Sequence, residues 1–523
     1  MSTRRAFLKT AAGAAVALNL PGCARSVAPA ADAKSAMASA DELRAMVQNM
    51  VDMGPRLTGS SAHNRFIDWL EAQMQALGMQ VIRDPYSFTR WQAREWSLAV
   101  LEADGNIPIG TAGYFPYSGS TGGAGIEGEL VSIDLPIEDI TANITQPADL
   151  VQFVSTLSQA LLPSLQAALG AVQGGVSGAI VLVNGLVPPA LTGIFAPFLS
   201  YAKSSDLATL LTSDYKRTWL GGLLFANLLD PIRQAGAAGA IFNIDASPEC
   251  ARGQYLPFSS PLNTLPALLV DRVVGADLRA RAAARPTVRL ILVADTFPDT
   301  RSDSLVGILP GASDENMILN THTDGQNAFE ENGGIACIAI ARHYAAIPQA
   351  QRPRALVFSL VTGHMGPDLP QTQGFVDRFP DLIAKAACGI TIEHFGATNW
   401  EDDAAGYHAT GSPEFGGAFH SVTPVGDIAA QAYQASPLSG IALLRPIGNT
   451  YFGVGAPLHQ AGVPSIGYLT GPNYLVTISA NGEMDKLDPQ RMQQETAWII
   501  DTLHRLETVP AATLKQGVGL PGI

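Results

Sequence analysis

The chain has 523 residues, too many for one hydrophobic core, so two or three domains are expected. Hydrophobic residues make up 47% and charged residues 15%, the balance of a globular protein with large buried sheets rather than a disordered one. A net charge of -14 argues against nucleic acid and against anionic membrane surfaces as partners.

The first thirty-five residues read as an address and a linker. Thr3-Arg4-Arg5-Ala6-Phe7-Leu8-Lys9 has the pattern of a twin-arginine export signal, followed by an apolar stretch from Ala11 to Leu20 that is too short to span a membrane. Leu20-Pro21-Gly22-Cys23 resembles a lipoprotein box, which would make Cys23 an acylated N-terminus. Cleavage after Ala28-Pro29-Ala30 by the ordinary signal peptidase is the competing reading. Either way the expected location is the periplasm or cell envelope. Four cysteines are too few for a disulfide framework, and Cys337 and Cys388, next to apolar stretches, are expected as buried thiols.

Ser39-Ala40-Asp41-Glu42 has capping-box spacing and starts a helix that Gly54-Pro55 ends. A second helix runs from about His63 to Gly78, and strands are expected at Met79–Ile82 and Trp96–Leu101. His63, beside Asn64 and Arg65, reads as solvated. The Ser/Gly run from Ser118 to Gly123 marks a boundary. From there to 295, strands at Ser177–Val183, Ala240–Ile244, Leu265–Val270 and Thr287–Val293 alternate with helices. This order, with its Gly-Ala-Ala-Gly-Ala-Ile-Phe turn, resembles the protease-associated domain, a small α/β insert. Two extra stretches, 150–171 and 194–229, read as helices covering a face of that module or the mouth of a site. From Thr296 strands and helices alternate again, which implies a mostly parallel sheet covered by helices on both faces. The divisions are therefore 1–35, 36–122, 123–295 and 296–523, the second and fourth forming one domain that the third interrupts.

The chain is organised around Asn316–Gly334. An apolar strand delivers His322-Thr323-Asp324, and Glu330-Glu331-Asn332 opens an apolar helix after a polar loop. Strand ends are where open α/β sheets place ligands, and an imidazole followed by carboxylates is a donor set for a divalent metal. Together with Gly54-Pro55-Arg56-Leu57-Thr58-Gly59-Ser60 and the closing Asp485-Lys486-Leu487-Asp488, these residues resemble the double-zinc aminopeptidase family. The resemblance implies a zinc exopeptidase fold and a metal-activated water with a glutamate as general base. Residue by residue, His322 matches the first histidine ligand and Asp324 the carboxylate that orients it. Glu331 matches the bridging carboxylate, and Glu393, three residues before Gly396, matches the next carboxylate ligand.

The same comparison shows departures. Where the family has Glu-Glu-x-Gly, this chain has Gly363-His364-Met365-Gly366, so His364 replaces a carboxylate ligand and Gly363 has no side chain to act as base. The final histidine ligand is missing, since Tyr474–Ser479 offers only hydroxyls. By this count His322, Glu331 and Glu393 hold one zinc with a water in its open position, and a second, on His364 and Glu331, is weak or absent. His459 is a substitute ligand by proximity in sequence, and His394 is expected to point to the other face of its strand. Glu330 is the nearest replacement for the base, with Glu401 further off. His343 and His504 read as structural, while His408 and His420 lie in a Gly-rich region that could line a pocket. Two functions follow: an exported metal-dependent hydrolase of peptide or related amide substrates, or a catalytically inactive relative serving as a binding or scaffold protein.

Overall fold

The computed structural model describes residues 37–138, 147–156, 159–185, 190–447 and 451–517. The residues read as an export signal and linker, Cys23 among them, lie outside the described residues. The helix Ala40–Val51 has its capping box: Glu42 N donates to Ser39 Oγ at 3.2 Å and Ser39 N to the Glu42 carboxylate at 2.8 Å.

The centre of the molecule is the strand Asn316–His322, buried at every residue. It pairs in parallel with Ala355–Val361 on one side and Ala386–Ile392 on the other, and Ser465–Thr470 extends the parallel set. Burial on both faces explains the near-continuous apolar sequence of these strands. Met317 and Leu319 face one cluster with the helix Gly333–Ala345, while Ile318, Val357 and Val361 face a second with Phe375 and Leu458. The fold is thus α/β, a large mostly parallel sheet covered on both sides.

Two expectations about strands change. Met79–Ile82 and Trp96–Leu101 belong to one strand, Gln80–Glu102. Thr287–Val293 and Ser304–Leu309 likewise merge into Thr287–Leu309. Their polar middles hide the continuity, because the two strands pair antiparallel with each other along nearly their full length and leave one another's side chains exposed there. One end of Thr287–Leu309 pairs with Ala355–Val361, and the other pairs with Ile126–Asp134. Beyond it lie the parallel strands Ile180–Asn184, Gly239–Asn243 and Ala267–Val270. Fifteen strands therefore form one sheet among the described residues.

The two extra stretches act at different places on that sheet. The helix Leu162–Ala171 packs on Ile126–Asp134, while the strand Leu199–Ala202 adds an edge to Ile441–Leu444 at the far side. The helix Thr218–Phe225 begins at a buried ion pair: Arg217 Nη2 is 2.9 Å from both oxygens of Glu414, and Arg217 Nε is 3.0 Å from one of them. No helix among the described residues is long and apolar enough to cross a membrane. Cys250, Cys337 and Cys388 are buried free thiols.

Removing one partner of a buried ion pair leaves the other charged and desolvated. Arg217→Ala is expected to cost about 3–5 kcal/mol in urea denaturation. Arg217→Met combined with Glu414→Leu should recover most of that loss. Equal losses for both proteins would locate the effect elsewhere than in the pairing of charges.

Candidate metal centre

The candidate residues gather at the carboxyl ends of the central parallel strands. His322 ends its strand, Gly363–Met365 follow Ala355–Val361, and Glu393 and His394 follow Ala386–Ile392. His322 Nδ1 is 2.9 Å from the main-chain carbonyl of Asp324, so its Nε2 faces inward, where it is buried without a partner. The expected orienting role of Asp324 therefore falls to its backbone. Its carboxylate accepts from the Thr58 hydroxyl, from Gly363 N at 3.2 Å and from Met365 N at 2.9 Å, which orders the loop carrying His364.

The two glutamates point in different directions. Glu331 forms an ion pair with Arg56, whose other nitrogens donate to the carbonyls of Met50 at 2.9 Å, Asn327 at 2.7 Å and Gly54. Both side chains are buried, and Glu331 belongs to neither group of metal-capable donors found among the described residues. Glu330 turns into the centre instead. Its Oε1 is 3.4 Å from His364 Nε2 and its Oε2 is 3.4 Å from His394 Nε2.

His394 also departs from expectation. The strand has ended at Ile392, so side chains no longer alternate, and His394 takes a left-handed φ of 61°. Its Nδ1 meets the Thr470 carbonyl, and the Thr470 hydroxyl donates back to the His394 carbonyl at 2.7 Å. Nε2 is thereby aimed at Glu330 and is buried with no partner. Next to it, Glu393 Oε1 accepts from Val454 N at 2.9 Å, a close approach that Gly453 permits because a Cβ there would strike the carboxylate. Glu393 Oε2 is 3.6 Å from His322 Nε2.

These distances test whether the residues fit zinc. At 3.4, 3.4 and 3.6 Å the pairs exceed the about 3.2 Å expected of a hydrogen bond. Donors bound to one tetrahedral zinc at its usual bond lengths lie about 3.4 Å apart. Two triads emerge, His322–Glu393–His394 and His322–Glu330–His364, each with its donor atoms within 4.8 Å of one another. Each triad is two histidines and one glutamate, a known donor set for a catalytic zinc that keeps a position for water. Burial and the neighbouring His364 and His394 hold His322 well below its ordinary pKa, so it presents the neutral imidazole a metal requires. Burial acts the same way on His364, but the Glu330 carboxylate outweighs it and raises that imidazole to about 9.

Other candidates lie elsewhere. His459 packs against Tyr451, with ring centroids 5.4 Å apart, and joins neither triad. Glu401 and His408 are on the hairpin formed by Thr398–Asp403 and Gly406–Pro413. His343 and His504 bond to each other at 2.9 Å. His63, expected in solvent, is buried: Gly59 N donates to its Nδ1 at 3.1 Å and its Nε2 is 2.8 Å from the Thr323 hydroxyl. Gly363 has a φ of 101°, and a Cβ there would collide with Leu369.

Of the five donors only His364 has appreciable exposure, 17% of its side chain, and Phe258 lies over it with ring centroids 5.2 Å apart. Phe258 belongs to a segment tied to 476–478 by Tyr255 N to Val476 O at 3.0 Å and Ile478 N to Gly253 O at 2.8 Å.

No family model and no curated protein matches the sequence. Solved structures do share its fold. A peptidase M28 precursor from Shewanella amazonensis is 16% identical, with 97% of each chain covered and a TM-score of 0.61. A zinc aminopeptidase from Bacillus subtilis is 13% identical over 92% of this chain and 98% of its own, with a TM-score of 0.58. An aminopeptidase from Aneurinibacillus sp. strain AM-1 is 14% identical over 89% and 93%, with a TM-score of 0.55. The fold is that of the zinc exopeptidases.

Burial holds His63 and His420 at about 4, below the 6.5 of an unfolded chain. Between those values the unfolded chain binds protons that the folded chain does not, so stability falls as pH drops from 6.5 to about 4. His420→Gln removes one of the two sites and is expected to flatten that slope in denaturation measured at stepped pH. A slope identical to wild type would show that His420 is not buried neutral.

Proposed function

We propose that the chain is a zinc-dependent hydrolase of peptide or related amide bonds. One observation carries this reading: five donor side chains from three strand ends and a helix start converge at tetrahedral spacing, and His322 Nε2, Glu330 Oε2 and His394 Nε2 among them are buried without a hydrogen-bond partner. The likeness in fold to zinc aminopeptidases supports it. Zinc held there would polarise the scissile carbonyl and activate a water. His322, Glu330, His364, Glu393 and His394 are the residues that would hold it. Asp324, through Gly363 N and Met365 N, fixes the loop that carries His364. Glu330, read from the sequence as the proton acceptor, would serve among the ligands instead on this reading, since its two oxygens lie 3.4 Å from His364 and His394. Access runs past His364 and Phe258, where the half-buried aromatic ring would meet the incoming substrate. We further read 123–295 as a protease-associated-like insert and the N-terminus as a twin-arginine export signal with a lipid anchor at Cys23.

A second reading, a catalytically inactive relative that keeps the metal, is favoured by Gly363. That position offers no base, and Leu369 occupies the space a side chain would need.

Elemental analysis of the purified protein and hydrolysis of a panel of aminoacyl amides separate the readings. The expected result is bound zinc and measurable turnover, both lost in His322→Ala. Zinc without turnover on any substrate supports the inactive relative. If His322→Ala leaves metal content and turnover untouched, the assigned centre is not the site.

A further inference from the structure

We infer that the 123–295 region carries a binding site of its own, which takes the carboxyl end of a short peptide. The site lies at the carboxyl ends of the parallel strands Ile126–Asp134, Ile180–Asn184 and Gly239–Asn243. It shares no residue with the metal centre.

The place is a groove of about 620 Å³. Residues at the three strand ends line one side, and one face of the helix Arg272–Ala282 lines the other. Carboxyl ends of parallel strands are where open α/β sheets take ligands, and a groove of this size suits a molecule of several residues rather than an ion.

The strand ends are polar where the strands themselves are apolar. Ile180–Asn184 and Gly239–Asn243 are buried throughout, and both close on asparagine. Asn184 Nδ2 donates to Ser132 Oγ at 2.9 Å, and Asn243 Nδ2 donates to Asn184 Oδ1 at 3.1 Å. This row of hydrogen bonds stops at Asn243 Oδ1, which is buried and has no partner among the described residues. An amide oxygen left in that state carries a desolvation cost that an incoming N–H removes.

The charges narrow the ligand further. Asp134 and Glu138 balance Arg272 and Arg279 in the lining, so the groove has no net charge to draw a polyphosphate. None of the lining residues is aromatic, so a nucleobase has nothing to stack on. The two arginines differ in how they are held. Arg272 Nε is 2.7 Å from Asp245 and its Nη2 is 2.9 Å from Asp402, carboxylates only 7% and 6% exposed. Arg279 pairs with Asp134 alone among the described residues, and both of those side chains are more than half exposed. An exposed pair of that kind contributes little to the fold, so a ligand carboxylate can take Asp134's place on Arg279. Asp134 then accepts an N–H from the same ligand. A carboxylate flanked by N–H donors is the end of a peptide.

The test is calorimetric titration of the full-length protein with N-acetyl-trialanine, its carboxyl-terminal amide and N-acetylalanine. Chromatography afterwards confirms that each probe is intact. N-acetyl-trialanine is expected to bind once per chain and more tightly than N-acetylalanine. The amide, which needs no variant, should bind about tenfold more weakly, since it cannot form the charge-assisted pair. Arg279→Met should cause a similar loss, whereas Arg281→Met, on the same helix but paired with Asp277 outside the groove, should cause none. Melting of both variants checks that they fold. Affinity unchanged in His322→Ala would place the site away from the metal centre. A wild-type chain that binds none of the probes, an amide or N-acetylalanine that binds as tightly as the tripeptide acid, a folded Arg279→Met chain that keeps its affinity, or binding lost in His322→Ala overturns the inference. The hydrolase reading stands or falls by its own test.

Discussion

Glu330 and Glu331 are adjacent at the start of one helix, and Arg56 decides which of them faces the centre. Its guanidinium is buried, bonded to three main-chain carbonyls and paired with Glu331. A buried carboxylate needs a compensating charge, and Glu331 has one from Arg56. Glu330 has no basic partner other than imidazoles, and it is left between two of them. The rest of the centre is arranged about that carboxylate: His364 on one oxygen, His394 on the other, and His322 and Glu393 closing the ring of donors.

Much of this was legible in the residues and some of it was not. His322, His364 and Glu393 follow buried apolar strands, and a parallel sheet brings the ends of such strands together, so their convergence could be read from pattern alone. The choice between Glu330 and Glu331 could not, because it is made by an arginine 275 residues away in the chain. His394 was misread for a local reason. Alternation of side chains applies within a strand, and the chain leaves its strand one residue before Glu393 and turns left-handed at His394. His63 shows the same limit from the other side: next to Asn64 and Arg65 it looked solvated, but Thr323 lies over it.

The fold was legible where burial is two-sided and obscure where it is not. The central strands announce themselves by unbroken apolar runs. The two 23-residue strands do not, since their middles hold polar residues that stay largely exposed outside the core. Reading them as four short strands concealed that the two halves of the sheet are one. The stretch from 190 to 225 was likewise legible only as patches, because its partners, the edge at Ile441–Leu444 and the buried Glu414, come 197 or more residues later in the chain.

That shared sheet constrains how any substrate of the proposed hydrolase could arrive. Thr287–Leu309 is bonded at one end to the strands beside the centre and at the other to the strands of the 123–295 region. A domain joined by a flexible tether could swing aside like a hinged cover, but one stitched in by continuous backbone pairing cannot pivot without tearing that ladder. The approach left open is the one past His364, whose side chain is 17% exposed, and the Phe258 ring beside it. The doorway is a gap in a fixed wall.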